Sequence, residues 1–200
     1  IYDTLYEYKY LARPYELKPN LAESMPEISK DGLTDTVKIK KDVRFADDPC
    51  FPDGKGRVVT ASDIVYSINR HFDPENTSQQ RWMFEDIKAI KAVDDHTITI
   101  ELKKPDPQII YTLAHGASAV VPKEAVEKYG KEFGRHPVGS GPWILDSIVG
   151  TKIKLKKNPG YRAEKFDIYE HGYDEKAHGF TGIKQLHGQQ IPVVDSVDIS

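Results

Sequence analysis

The chain has 200 residues, 38% hydrophobic and 30% charged, with a formal net charge of −3. That length can bury a sizeable core in one large domain or two small lobes, and the near balance of charge lacks the basic excess of a nucleic-acid binder. No apolar run nears the ~20 residues that carry a helix across a bilayer, and the single cysteine, Cys50, cannot close an internal disulfide.

In chain order, the opening YDTLYEYKYLARPY carries Tyr2, Tyr6, Tyr8, Tyr10 and Tyr15. In an extended segment the even-numbered tyrosines point one way, and such rings suit either a ligand cleft or half-buried packing. TDTVKIK alternates, predicting a strand with Val37 and Ile39 on one face and Lys38 and Lys40 on the other. The Asp-, Pro- and Gly-rich loop from Phe45 to Gly56 holds Cys50 without a neighbouring base, which reads as an idle thiol. It also lacks the alternating ligands and closing Glu of a calcium loop. Thr60 and Asp63 have capping-box spacing, and Ile64, Ile68 and Phe72 form an apolar stripe on the helix that follows. A hairpin is predicted from Lys88 to Val93 and Thr97 to Leu102, turning at Asp94-Asp95-His96, with Ile98, Ile100 and Leu102 inward. Asp106-Pro107 suits a helix entrance with proline in the first helical position, and PKEAVEKYG a short helix ended by Gly130.

VGSGPW matches neither a nucleophile elbow nor a phosphate loop, and is read as a turn needing positive φ. A second hairpin follows with Gly150 near its turn, and the lysines of TKIKLKKNPG alternate with Ile153 and Leu155 as a solvated strand face would. The segment YEHGYDEKAHGFTGIKQLHGQQIP is loop of weak periodicity. Its His171, His178 and His187 lack metal-ligand spacing. No acid–base or nucleophile motif appears, so no enzymatic activity is expected, and no metal or cofactor is implied. Strands near both ends suggest one lobe from residues 1–19 and 137–200, with a strand-and-helix subdomain over 20–136 inserted into a sheet built from the first residues and the tail. The sequence holds no signal-peptide pattern, and its abrupt ends suggest a mature or truncated chain.

Five blocks in order resemble the family 5 extracellular solute-binding proteins, the oligopeptide, dipeptide and nickel receptors of bacterial ABC importers. They are YDTLYEY with LKPNLAESMPEISKDGLTDTVKIKKDVRF, RVVTASDIVYSINR, VDDHTITIELKKPDP, VVPKEAV, and HPVGSGPWIL with LKKNPGYR. The similarity runs from Ile1 to about Arg162 and resumes in IPVVDSVDIS. It implies an α/β fold like a type II periplasmic binding protein, with part of the first lobe present and the second lobe missing. It also implies capture of a peptide or similar small solute for an ABC permease, in a periplasmic or extracytoplasmic setting, with a lipid anchor supplied, where there is one, by a segment before Ile1. By position in the family pattern, the cleft residues would be Tyr6, Glu7 and Tyr8 after the first strand, Gln79, Arg81 and Trp82, and the loop His115, Gly116, Ala117 and Ser118. The chain departs from the pattern in the longer loop ADDPCFPDGKG and in Arg162, where the family has tryptophan. A standalone protein-interaction or sensor module using the same fold is the alternative.

Overall fold

Three antiparallel sheets and four short α-helices make up the computed structural model, which describes all of residues 1–200. Strand β1 (Tyr6–Tyr8) pairs only with β2 (Leu17–Pro19), Tyr6 opposite Pro19. The central sheet is ordered β3 (Glu27–Ile28), β4 (Thr34–Lys38), β6 (Thr97–Leu102), β5 (Ile87–Asp94). Helix α1 (Ala61–Asn69) lies against it, while α2 (Ile109–Thr112) and α3 (Lys123–Tyr129) follow the β5–β6 hairpin. Strands β7 (Trp143–Val149) and β8 (Lys152–Lys157) form the second hairpin, α4 (Glu175–His178) is one turn long, and β9 (Ser196–Ile199) adds to β8.

The alternating patterns place their side chains as read. Val37, Ile39, Ile98, Ile100 and Leu102 are buried, and Lys38 is exposed. On α1, Ile64 and Ile68 are buried and Phe72 packs half-buried just beyond the helix. Asp63 reaches back to accept from the Thr60 N–H at 2.8 Å and from its hydroxyl at 3.1 Å, leaving no orphan donor at Thr60. The same carboxylate takes two bonds from Arg57, both 2.7 Å, while the guanidinium also grips Glu124 on α3 at 2.6 and 2.8 Å. One arginine thus clasps α1 to α3. A cluster of 24 buried hydrophobic residues runs from Leu5 to Val138 and joins the opening strand, the central sheet and the three helices.

Three expectations are corrected. No sheet is shared by the first residues and the tail: β1 pairs with β2, and β9 pairs with β8. Pro107 is not the first helical residue. Asp106 accepts from the Gln108 N–H at 2.9 Å, a side-chain turn that postpones α2 to Ile109. In VGSGPW neither Gly139 nor Gly141 has positive φ. They are glycines because the Ile1 carbonyl lies against both, where a Cβ would overlap it, and the Gly141 N–H donates to that carbonyl at 2.8 Å. Gly130 and Gly150 do take positive φ, 49° and 61°, where α3 ends and the second hairpin turns.

Candidate functional site

A cavity of about 520 Å³ opens between the opening segment and the loop that follows β8, within the size range of small-molecule pockets. Asp3, Glu7, Tyr8 and Tyr10 form one wall, and Tyr161, Glu164, Phe166 and His171 the other. Ile183, Leu186, Ile191 and Val193 close the apolar end. The loop is anchored by its backbone. The Leu11 N–H donates to the His171 carbonyl at 2.9 Å, the Tyr10 N–H to His171 Nδ1 at 3.1 Å, and the Ile191 N–H to the Glu164 carbonyl at 2.9 Å. Gly172, at φ 84°, lies so close to Ala12 that a side chain there would meet its backbone.

The floor is charged. Lys18, only 5% exposed, sits 3.1 Å from Glu7, 3.3 Å from Glu170 and 3.9 Å from Glu164. Arg162 donates to Asp3 at 2.7 Å, Glu164 at 2.8 Å and Asn20 at 2.6 Å. Four carboxylates against two cations leave a net charge of −2. Burial opposes charge on Lys18 and Arg162, but their carboxylate partners outweigh it and both are held protonated. For Glu7 burial wins over its shared lysine and pushes the carboxyl above the ordinary range. For Glu164 burial loses to Arg162, the Tyr161 hydroxyl and Lys18, which hold it below that range. Burial, and then Lys18, lower the His171 pKa, so its neutral ring accepts at Nδ1 and carries its proton on Nε2.

Of the sequence-predicted site residues, Glu7 and Tyr8 line this cavity. Tyr6 does not. It is fully buried, with its hydroxyl donating to the Ser24 carbonyl at 3.3 Å. Tyr8, 44% exposed, stands between Tyr15 and Tyr111, with ring centroids 5.9 and 6.2 Å away. Gln79, Arg81 and Trp82 lie on an exposed turn, Trp82 69% exposed and Arg81 stacked over Phe72 at 5.4 Å. His115 caps the turn Gly116–Ser118, accepting from the Ala117 N–H at 3.0 Å, and Ser118 is buried, with its hydroxyl donating to the His115 carbonyl. The two segments are tied by His71, whose Nε2 bonds the Ala117 carbonyl at 2.8 Å and whose Nδ1 bonds Ser78.

Sequence reasoning missed Arg162, Glu164 and His171. Arg162 had a signal, being the departure from the family's tryptophan. His171 had none, because it meets Tyr10 across 161 residues of chain. Cys50 holds no thiolate at neutral pH, since burial and Asp48 push its thiol up to about 12.

The comparisons agree with this architecture. A family model described as "Bacterial extracellular solute-binding proteins, family 5 Middle" matches residues 16–197. Glutathione-binding protein GsiB of Escherichia coli O1:K1 is 39% identical over 152 residues, 76% of this chain and 28% of that protein. The Helicobacter pylori periplasmic binding protein DppA, solved with the peptide STSA, superposes with TM-score 0.72 at 30% identity, covering 82% of this chain and 35% of that one. NikZ of Campylobacter jejuni, solved with Ni(L-His), gives 0.69 at 27% identity over 84% and 32%. The chain thus spans about a third of the length of these relatives, with the mixed α/β fold of part of a type II periplasmic binding protein. It belongs to the family 5 bacterial extracellular solute-binding proteins.

Proposed function

We propose that this chain is part of the receptor of an ABC importer, which captures a peptide or similar small solute outside the cytoplasm and passes it to a membrane permease. The observation that carries the reading is the cavity where Glu7 and Tyr8 meet a charged floor and apolar walls. Such a pocket holds a solute without transforming it: its carboxylates are engaged by Lys18 and Arg162, and no nucleophile–base pair lines it. The aromatic row Tyr15–Tyr8–Tyr111 adjoins the cavity through Tyr8, which lines it. Closure over a solute needs only a higher affinity of the closed form.

Calorimetric titration of the protein containing this chain with glutathione, a dipeptide and tripeptide panel and a nickel–histidine chelate tests it. Saturable binding of one of these, with the solute recovered unchanged, is the expected result. If no solute binds while a protein partner does, the interaction-module reading replaces it.

A further inference from the structure

We infer that the cavity beside β1 selects a hydrophobic organic cation, a ligand with an ammonium group, an apolar body and a hydrogen-bond acceptor near the nitrogen. The inference rests on reading this cavity as the solute site. Asp3, Glu7 and Glu164 all line it, and these three carboxylates keep a surplus of one negative charge after Lys18 and Arg162 are counted. A surplus of this sign, partly withdrawn from water, favours an entering cation over an anion. The apolar lining residues Ile183, Leu186 and Ile191, with Phe166 beside His171, offer no charge and suit a hydrocarbon or aromatic body.

His171 supplies the third element. It is 8% exposed and lines the cavity. Nδ1 is occupied by the Tyr10 N–H, and the ring packs on Phe166 at a 30° tilt with centroids 4.8 Å apart, so it cannot turn away without breaking both contacts. No hydrogen bond within the chain uses Nε2–H, which solvent still reaches. A ligand that displaces this solvent needs an oxygen to accept from the donor, because leaving it unmet under the bound ligand is costly. Cation site, apolar wall and lone donor therefore converge on one small volume.

Four probes sharing one ring separate the contributions: 2-phenylethylamine, 2-phenylethanol, 3-phenylpropionate and phenylalaninol, each titrated near neutral pH while the His171 ring resonances are followed. The amine is expected to bind at least tenfold more tightly than the alcohol or the acid. Phenylalaninol should bind more tightly still, and lose that gain in His171→Phe. Glu7→Gln should weaken both amines. Since that change also touches Lys18, Leu186→Lys serves as a second variant, whose own ammonium fills the cavity and abolishes amine binding while the unfolding midpoint stays near that of the parent. Preference for the acid or the alcohol, with His171 shifted, overturns the cation assignment and leaves the cavity as the solute site. Binding of peptides that leaves His171 unmoved, with no amine bound, overturns both.

Discussion

Arg162 stands where the family pattern has an indole, and its surroundings explain what a cation does there. Its guanidinium is mostly buried and spends its donors on Asp3, Glu164 and Asn20. Asp3 is itself buried and also accepts from the Ser140 hydroxyl at 3.0 Å. Removing the guanidinium leaves a carboxylate with no counter-charge in a desolvated place, which typically costs ~3–5 kcal/mol. Arg162→Leu should therefore lower the urea midpoint by a corresponding amount, and Asp3→Asn in the same background should recover part of the loss. A second residue-scale expectation concerns Gly139, whose missing side chain lets the Ile1 carbonyl approach. Gly139→Ala should destabilise by about 1–3 kcal/mol through overpacking. Gly134→Ala, where a Cβ meets nothing within 4 Å, should leave the thermal midpoint unchanged.

At the scale of elements, the Arg57 clasp couples α1 to α3 through ionisable groups and so makes their docking sensitive to acid. The hydrogen bond from Arg57 holds the Glu124 carboxyl below its ordinary value, outweighing burial. A carboxyl depressed in the folded state binds protons more readily when unfolded, so its contribution is present above the unfolded value near 4.5 and fades as pH falls through the folded one. Glu124→Gln should be less stable than the parent at pH 7, and the two melting curves should converge as pH drops below ~4. Equal separation at pH 7 and pH 3 would rule the clasp out as a source of acid sensitivity. These elements are legible because each advertises itself locally: alternation in Thr97–Leu102, four-residue spacing on α1, Gly130 ending α3 and Gly150 at the second hairpin's turn. Where local cues misled, as at Pro107 and VGSGPW, the deciding partner was an Asp side chain or a carbonyl more than a hundred residues away.

Over the whole molecule, burial is unevenly shared, and the cavity lies where it thins. Residues from Leu5 to Val138 supply the 24-member core, whereas no side chain of β7, β8 or β9 is fully buried. The site was only partly readable for the same reason. Glu7 and Tyr8 sit on a strand with a recognisable pattern, while the opposing wall comes from the aperiodic stretch after Tyr161 and meets them only through tertiary contacts. Elements with few buried apolar contacts open before those with many. Polar links tie the segment before β7 to the opening segment, among them Ser140 to Asp3 at 3.0 Å and the Gly141 N–H to the Ile1 carbonyl at 2.8 Å. Native-state hydrogen exchange should therefore report an opening free energy at Ile153 and Leu155 lower by about 1–3 kcal/mol than at Ile98 and Ile100, the central strand of the buried sheet. A solute seated against Glu7 and Tyr8 on one side and Pro142 and Tyr161 on the other bridges both parts, so binding should slow exchange in β8 more than in β6. Equal protection in the two sheets without solute would mean that the polar links alone make one cooperative unit, and the cavity would then be a rigid cleft instead of a seam that solute binding tightens.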